Sequence, residues 1–179
     1  MAEVTPLACR CGAVRLEVEK APMIAAECYC DSCRSAGERL AGMPGALPLL
    51  NDKGGTPYEL YRKDRVQIVA GAALLRAFRL TPTSPTRRVV ASCCNTPLFA
   101  EFQNGHWLSL YAALWPAESR PPMQLRTMTS DLLPKVVLDN RLPNARRQTF
   151  AFFAALLGAW VAMRFKVPKL EIIEGGIDA

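Results

Sequence analysis

The chain has one histidine, His106, and only 21% of its residues are charged. So little charge beside a hydrophobic half argues against a disordered tail, and 179 residues suffice for one domain with a real core. There is no Ser-His-Asp set, no glycine loop to cradle phosphate and no carboxylate pair near a reactive cluster. Triad hydrolysis, nucleotide binding and paired-acid catalysis therefore lack their residues. Internal repeats and low-complexity tracts are also missing. The stretch from Met1 to Leu7 has no basic region followed by an apolar one, so a secretory signal is not expected. The uncharged, helix-like run from Thr149 to Met163 is short of the roughly 20 residues a bilayer crossing needs.

Cysteine is what the chain does have. Seven are present, as Cys9 and Cys11, then Cys28, Cys30 and Cys33, then Cys93 and Cys94. Disulfides rarely join residues so near in sequence, because the bridge needs well-separated backbones. Clustered thiols without a secretory signal point to a reducing, cytoplasmic setting and to metal. The formal charge of +6 favours anionic partners of any kind. Seven thiolates around two zinc ions would reduce it to about +3, so the basic signal is soft.

The fold reads as mainly β, with small packed antiparallel sheets organised around cysteine-bound zinc and a C-terminal apolar α-helix. Val14, Leu16 and Val18 alternate with Arg15, Glu17 and Glu19, the period of a half-buried strand. A short strand from Met23 to Ala26 leads into the second cysteine group. Further strands are predicted at Glu59–Tyr61, Gln67–Val69, Leu74–Leu80, Arg88–Ala91, Pro97–Phe102 and Leu108–Ala112, with Asn104-Gly105 as a hairpin turn. Glycines and prolines between Gly37 and Gly55 predict mostly loop. The texture changes near Ser119, which predicts a β domain over residues 1–118 and an extension over 119–179. That extension carries a helix at about 144–165, with Asn144 as its cap. Small residues four apart along the helix suit close packing against the β core or in a homodimer. Its length argues against a membrane span.

Cys28, Cys30 and Cys33 place three thiols within six positions. The C-x-x-C turn aims two sulfurs at one ion, and Cys28 shares a side with Cys30 if the segment is extended. No fourth ligand is near in sequence, and three protein ligands with an open position mark a reactive zinc. His106, beside Trp107, reads as an ordinary packed or surface residue. Cys9, Cys11, Cys93 and Cys94 supply four sulfurs for a closed site, and Gly12 suits a tight turn beside it.

These segments, Cys9-Arg-Cys11-Gly12-Ala-Val14, Cys28-Tyr-Cys30-Asp-Ser-Cys33-Arg34 and Cys94-Asn-Thr96-Pro97-Leu98-Phe99, resemble the glutathione-dependent formaldehyde-activating enzyme family. Centromere protein V belongs to the same superfamily. The resemblance runs from about residue 7 to 115 and implies a β-rich fold with one structural and one catalytic zinc. It implies Cys9, Cys11 and Cys94 as structural ligands, and Cys28, Cys30 and Cys33 as the catalytic set. Three positions depart from the family pattern, two of them at the last cysteine group. Ala91 stands where the family has the first cysteine of its last C-x-x-C, with Cys93 the natural substitute. Asn95 stands where the family has glycine. Tyr29 replaces the family's histidine.

The activity so implied is carbon–sulfur lyase chemistry, in which a thiol such as glutathione adds to a small aldehyde. A zinc held by three thiolates suits that role better than making hydroxide. A site for glutathione would want cations for its two carboxylates. Arg34 is the first choice, with Arg62, Arg65, Arg87 and Arg88 behind it, although arginines are mostly solvated surface residues. Two other readings stand beside this one: a non-catalytic zinc module for a protein or nucleic-acid partner, and a membrane-associated or dimeric scaffold led by the C-terminal helix. Arg87-Arg88 and Arg146-Arg147 are short clusters without interleaved aromatics, which weakens the nucleic-acid case.

Overall fold

The structure, a computed structural model, describes residues 3–175 and 177. It is mainly β, as the period-2 segments predict. A small antiparallel sheet joins β1 (Val4–Ala8), β2 (Arg15–Glu19) and β5 (Val66–Ala70) in the order β1-β2-β5. The larger sheet has eight strands among the described residues. Its centre holds β3 (Ile24–Cys28), β4 (Thr56–Arg62), β9 (Trp107–Tyr111), β8 (Thr96–Phe102), β7 (Thr86–Ala91) and β6 (Leu75–Phe78), antiparallel throughout. Two short strands from the C-terminal extension close its edges in parallel, β10 (Leu125–Thr127) on β3 and β11 (Ile173–Glu174) on β6. Residues beyond 118 thus complete the same sheet.

Alternation along the strands builds two cores. Tyr61, Val89, Phe99 and Leu108 face the small sheet and pack with Leu7, Leu16 and Val18. Leu60, Val90 and Tyr111 point the other way, toward the two helices. Neighbours such as Leu60 and Tyr61, or Val89 and Val90, fall in different cores because successive strand side chains take opposite faces.

The first helix, α1 (Asp31–Ala41), lies where the reading expected mostly loop from Gly37 onward. Ala36, Gly37 and Leu40 form its buried face, and a Cβ on Gly37 would lie 2.6 Å from the Leu50 side chain. That glycine allows close packing and does not break the helix. The second helix, α2 (Phe150–Ala162), starts later than expected. Thr149 Oγ1 accepts from the Phe152 amide at its N-terminus. Asn144 is not the cap, because residues 144–146 run extended beside β10, with Ala145 N donating to Arg126 O. Leu156, Ala159 and Met163 bury α2 on the sheet, while Phe150, Phe153, Leu157 and Val161 stay exposed. His106 fixes the helix in place: its Nε2–H donates to the Leu156 carbonyl at 2.8 Å, and its ring stacks on Trp160. No helix among the described residues is long and apolar enough to cross a membrane.

Candidate metal centres

The turn between β1 and β2 carries Cys9 and Cys11. Gly12 takes φ +77°, a conformation glycine adopts without strain, and its amide donates to Cys9 O. Val14 N points back at Cys9 Sγ at 3.2 Å. Opposite, the chain leaves β7 at Ala91, which is fully buried, and turns through Cys93 and Cys94. Asn95 closes that turn at φ 55°, a conformation asparagine tolerates better than most residues, so this departure from glycine is accommodated. All four sulfurs lie within 4.8 Å of one another. Cys9–Cys11, Cys9–Cys93, Cys11–Cys93 and Cys93–Cys94 are 3.6, 3.8, 3.3 and 3.9 Å apart. Metal–sulfur bonds of about 2.3 Å in a tetrahedron give sulfur–sulfur edges of about 3.8 Å. Both adjacent cysteines therefore reach the same point, and the cluster can hold a metal ion between the two sheets.

The second cluster forms where β3 meets α1. Cys28 ends the strand, Cys30 caps the helix by accepting from Cys33 N, and Cys33 sits one turn in. The three sulfurs also lie within 4.8 Å of one another, with Cys28 and Cys30 3.5 Å apart, but no fourth Cys, His, Asp or Glu joins them among the described residues. Thiol donation from Cys28 and Cys33 lowers the Cys30 pKa, while the same pairing raises those of Cys28 and Cys33. The positive end of α1 favours negative charge at the same spot. Metal binding would make all three thiolates.

These sulfurs face a cavity of 490 Å³ lined mostly by apolar side chains. Phe152 and Leu156 of α2 form one wall, and Phe102 and Trp107 part of another. Arg88 also lines it, with 1% of its surface exposed. Its Nη2 donates to Ser32 Oγ at 2.8 Å and to Ser32 O at 3.1 Å, inside the C-x-x-C turn, and Nη1 to Thr86 O at 3.5 Å, while Nε has no partner among the described residues. Three thiolates around a divalent ion carry one net negative charge, which this buried guanidinium is placed to balance.

The other expected cations are committed elsewhere. Arg34 pairs with Asp31 and donates to Asp131 O and Tyr29 O, so it ties α1 to a distant loop and does not line the cavity. Arg62 is held by Asp64, and Arg87 by Glu101 and Glu174. Arg65 lies outside the cavity wall. His106 holds α2 and is in neither cluster. Tyr29, the family histidine's replacement, is buried and donates to Glu27 Oε2. A Cβ on Gly55 would lie 2.6 Å from its ring, so the loop before β4 closes over it only because that residue is glycine. The sequence reading missed Phe152 and Leu156 as cavity wall, since α2 reaches the site only through tertiary packing.

A solved Rhodobacter sphaeroides structural-genomics protein is 16% identical, with a TM-score of 0.47 over 78% of this chain and 99% of that one. No curated protein matches. Residues 1–114, which include both cysteine clusters, match a family model, and the chain therefore belongs to the family of unknown function DUF6151.

Proposed function

We propose that the chain is a zinc enzyme of thiol–aldehyde chemistry, working in a reducing compartment such as the cytoplasm. Cys9, Cys11, Cys93 and Cys94 hold a structural ion, and Cys28, Cys30 and Cys33 a reactive one. The observation that carries this reading is the three-sulfur cluster without a fourth ligand among the described residues, facing a cavity large enough for a small organic molecule. All-sulfur donors at these separations favour zinc over harder ions. When bound there, zinc supplies a soft open position that acidifies a thiol.

In the reaction the thiol sulfur forms a bond to the aldehyde carbon. The carbonyl π pair moves to oxygen, and the thiol proton ends on that oxygen, giving an S-(hydroxyalkyl) adduct. The protein's own residues orient and shield. Phe152 and Leu156 cover the sulfurs from one side and limit water. Burial raises the Tyr58 pKa, so its hydroxyl stays a donor near Cys33 Sγ, at 3.8 Å, and does not serve as base. Arg88 places fixed positive charge beside the cluster.

Metal content of chelator-free protein tests the reading. The expected result is about two zinc ions per chain, falling to about one in Cys30→Ser, with thiol–aldehyde condensation lost in that variant. One zinc in the wild type, unchanged by Cys30→Ser, would overturn it.

A further inference from the structure

The cavity differs from what a peptide thiol requires, and that difference names a substrate class. Glutathione carries two carboxylates and an ammonium group on a polar backbone. The wall, among the described residues, presents one cation, Arg88, and no carboxylate. Arg34, Arg62 and Arg87, which could have met a second carboxylate, are bound elsewhere. What remains is mostly aromatic and aliphatic, with Phe102, Trp107, Phe152 and Leu156 outweighing the neutral polar side chains of Thr86, Ser109, Thr127 and Gln148. Arg88 is itself buried, its Nε has no partner among the described residues, and its Nη2 is anchored on Ser32 between Cys30 and Cys33. A buried guanidinium with a free N–H costs stability unless an acceptor reaches it. With Nη2 on Ser32 and Nη1 on Thr86 O at 3.5 Å, the Nε–H is the donor left for a single carboxylate or carbonyl from the cavity.

Resting on the open-site reading above, we infer that the cavity takes a thiol with an aromatic or branched apolar body and one anionic group. The sulfur lies at the Cys28, Cys30 and Cys33 cluster, the anion on Arg88, and the apolar body against Phe152 and Trp107. Glutathione, with two carboxylates for one cation, is a poor fit on charge.

The test is calorimetric binding to the zinc-loaded full chain, with zinc content measured before and after each titration. The probes are 2-benzyl-3-mercaptopropanoate, its carboxyl-free analogue 3-phenylpropane-1-thiol, its sulfur-free analogue 2-methyl-3-phenylpropanoate, and glutathione. The mercapto acid should bind at least about tenfold tighter than either glutathione or the carboxyl-free thiol, the margin of one charge-assisted pair in an apolar site. Arg88→Gln should erase its margin over the carboxyl-free thiol while zinc is retained. Phe152→Ala should weaken both aromatic thiols and leave glutathione unchanged, which keeps the idea testable if Arg88→Gln misfolds. Glutathione binding as tightly as the mercapto acid would overturn the inference. So would an Arg88→Gln variant that loses zinc or weakens every thiol alike, since Arg88 would then serve only as countercharge to the metal. The sulfur-free acid separates the two readings: if it binds through Arg88 and the thiol group adds nothing, the open zinc fails while the cavity's preference stands.

Discussion

Two buried charges in this protein have opposite fates. Arg88 is buried beside three sulfurs that supply its negative partner once ionised, whereas Glu59 is buried with nothing comparable. Glu59 is fully buried on β4, and neither carboxylate oxygen has a hydrogen-bond partner among the described residues. Burial pushes its pKa up to about 8, against a mild opposing pull from Arg120. The folded state thus holds a proton that the unfolded chain, near 4.5, releases more readily. This contribution to stability is full below about pH 4.5 and is lost as pH rises toward about 8. Denaturant titrations across that range should show wild-type stability falling relative to Glu59→Gln, whose amide has no proton to lose. Parallel curves for the two proteins would show that Glu59 is solvated or paired. The glutamate had no distinguishing mark in sequence, since its predicted strand has two faces and only the packing of both sheets buries the one it occupies.

The helices show how far local pattern reaches. In α1 the cap, the acidic first turn and the spacing of Cys33, Ala36, Gly37 and Leu40 were all present in the chain, yet the glycines around it favoured loop. Gly37 is helical because Leu50 fills the space a side chain would take. For α2 the apolar run was plain, but no periodicity showed which face would be buried. The contact with His106 and the sheet decided that. Leu156→Ala should cost about 2–5 kcal/mol, the range for a buried leucine. Its exposed neighbour Leu157→Ala should stay within about 0.5 kcal/mol, as surface changes do. Equal effects in urea denaturation would mean the helix sits in a different rotation. Because Leu156 also lines the cavity, its truncation should weaken aromatic-thiol binding as well.

At the scale of the whole molecule, the four-cysteine cluster joins the β1–β2 turn of the small sheet to the β7–β8 turn of the large one. A metal there ties together layers otherwise held by the core between them. Cys9→Ser should therefore lower stability on the order of 3–5 kcal/mol, as loss of a structural metal does, and reduce zinc by about one ion. A chelator should destabilise the wild type and leave Cys9→Ser nearly unchanged; equal sensitivity would place the stabilising metal elsewhere.

Sequence alone determined the β character, the strands between Arg15 and Tyr111 and the grouping of cysteines, because side-chain alternation and C-x-x-C spacing are local properties of the chain; it did not place β1, β10 or β11. It did not settle whether Cys93 could stand in at Ala91. That depended on a turn in which Asn95 adopts a left-handed conformation. It put Arg34 first among five arginines on adjacency alone, since burial and ion pairing come from residues far apart in the chain. Tertiary structure decided that Arg34 is occupied, that Arg88 faces the sulfurs, and that the C-terminal helix, which lies beyond the matched segment, walls the cavity. Those facts exist only once the large sheet and both helices meet, and they turn a set of metal-binding sulfurs into a site with a shape.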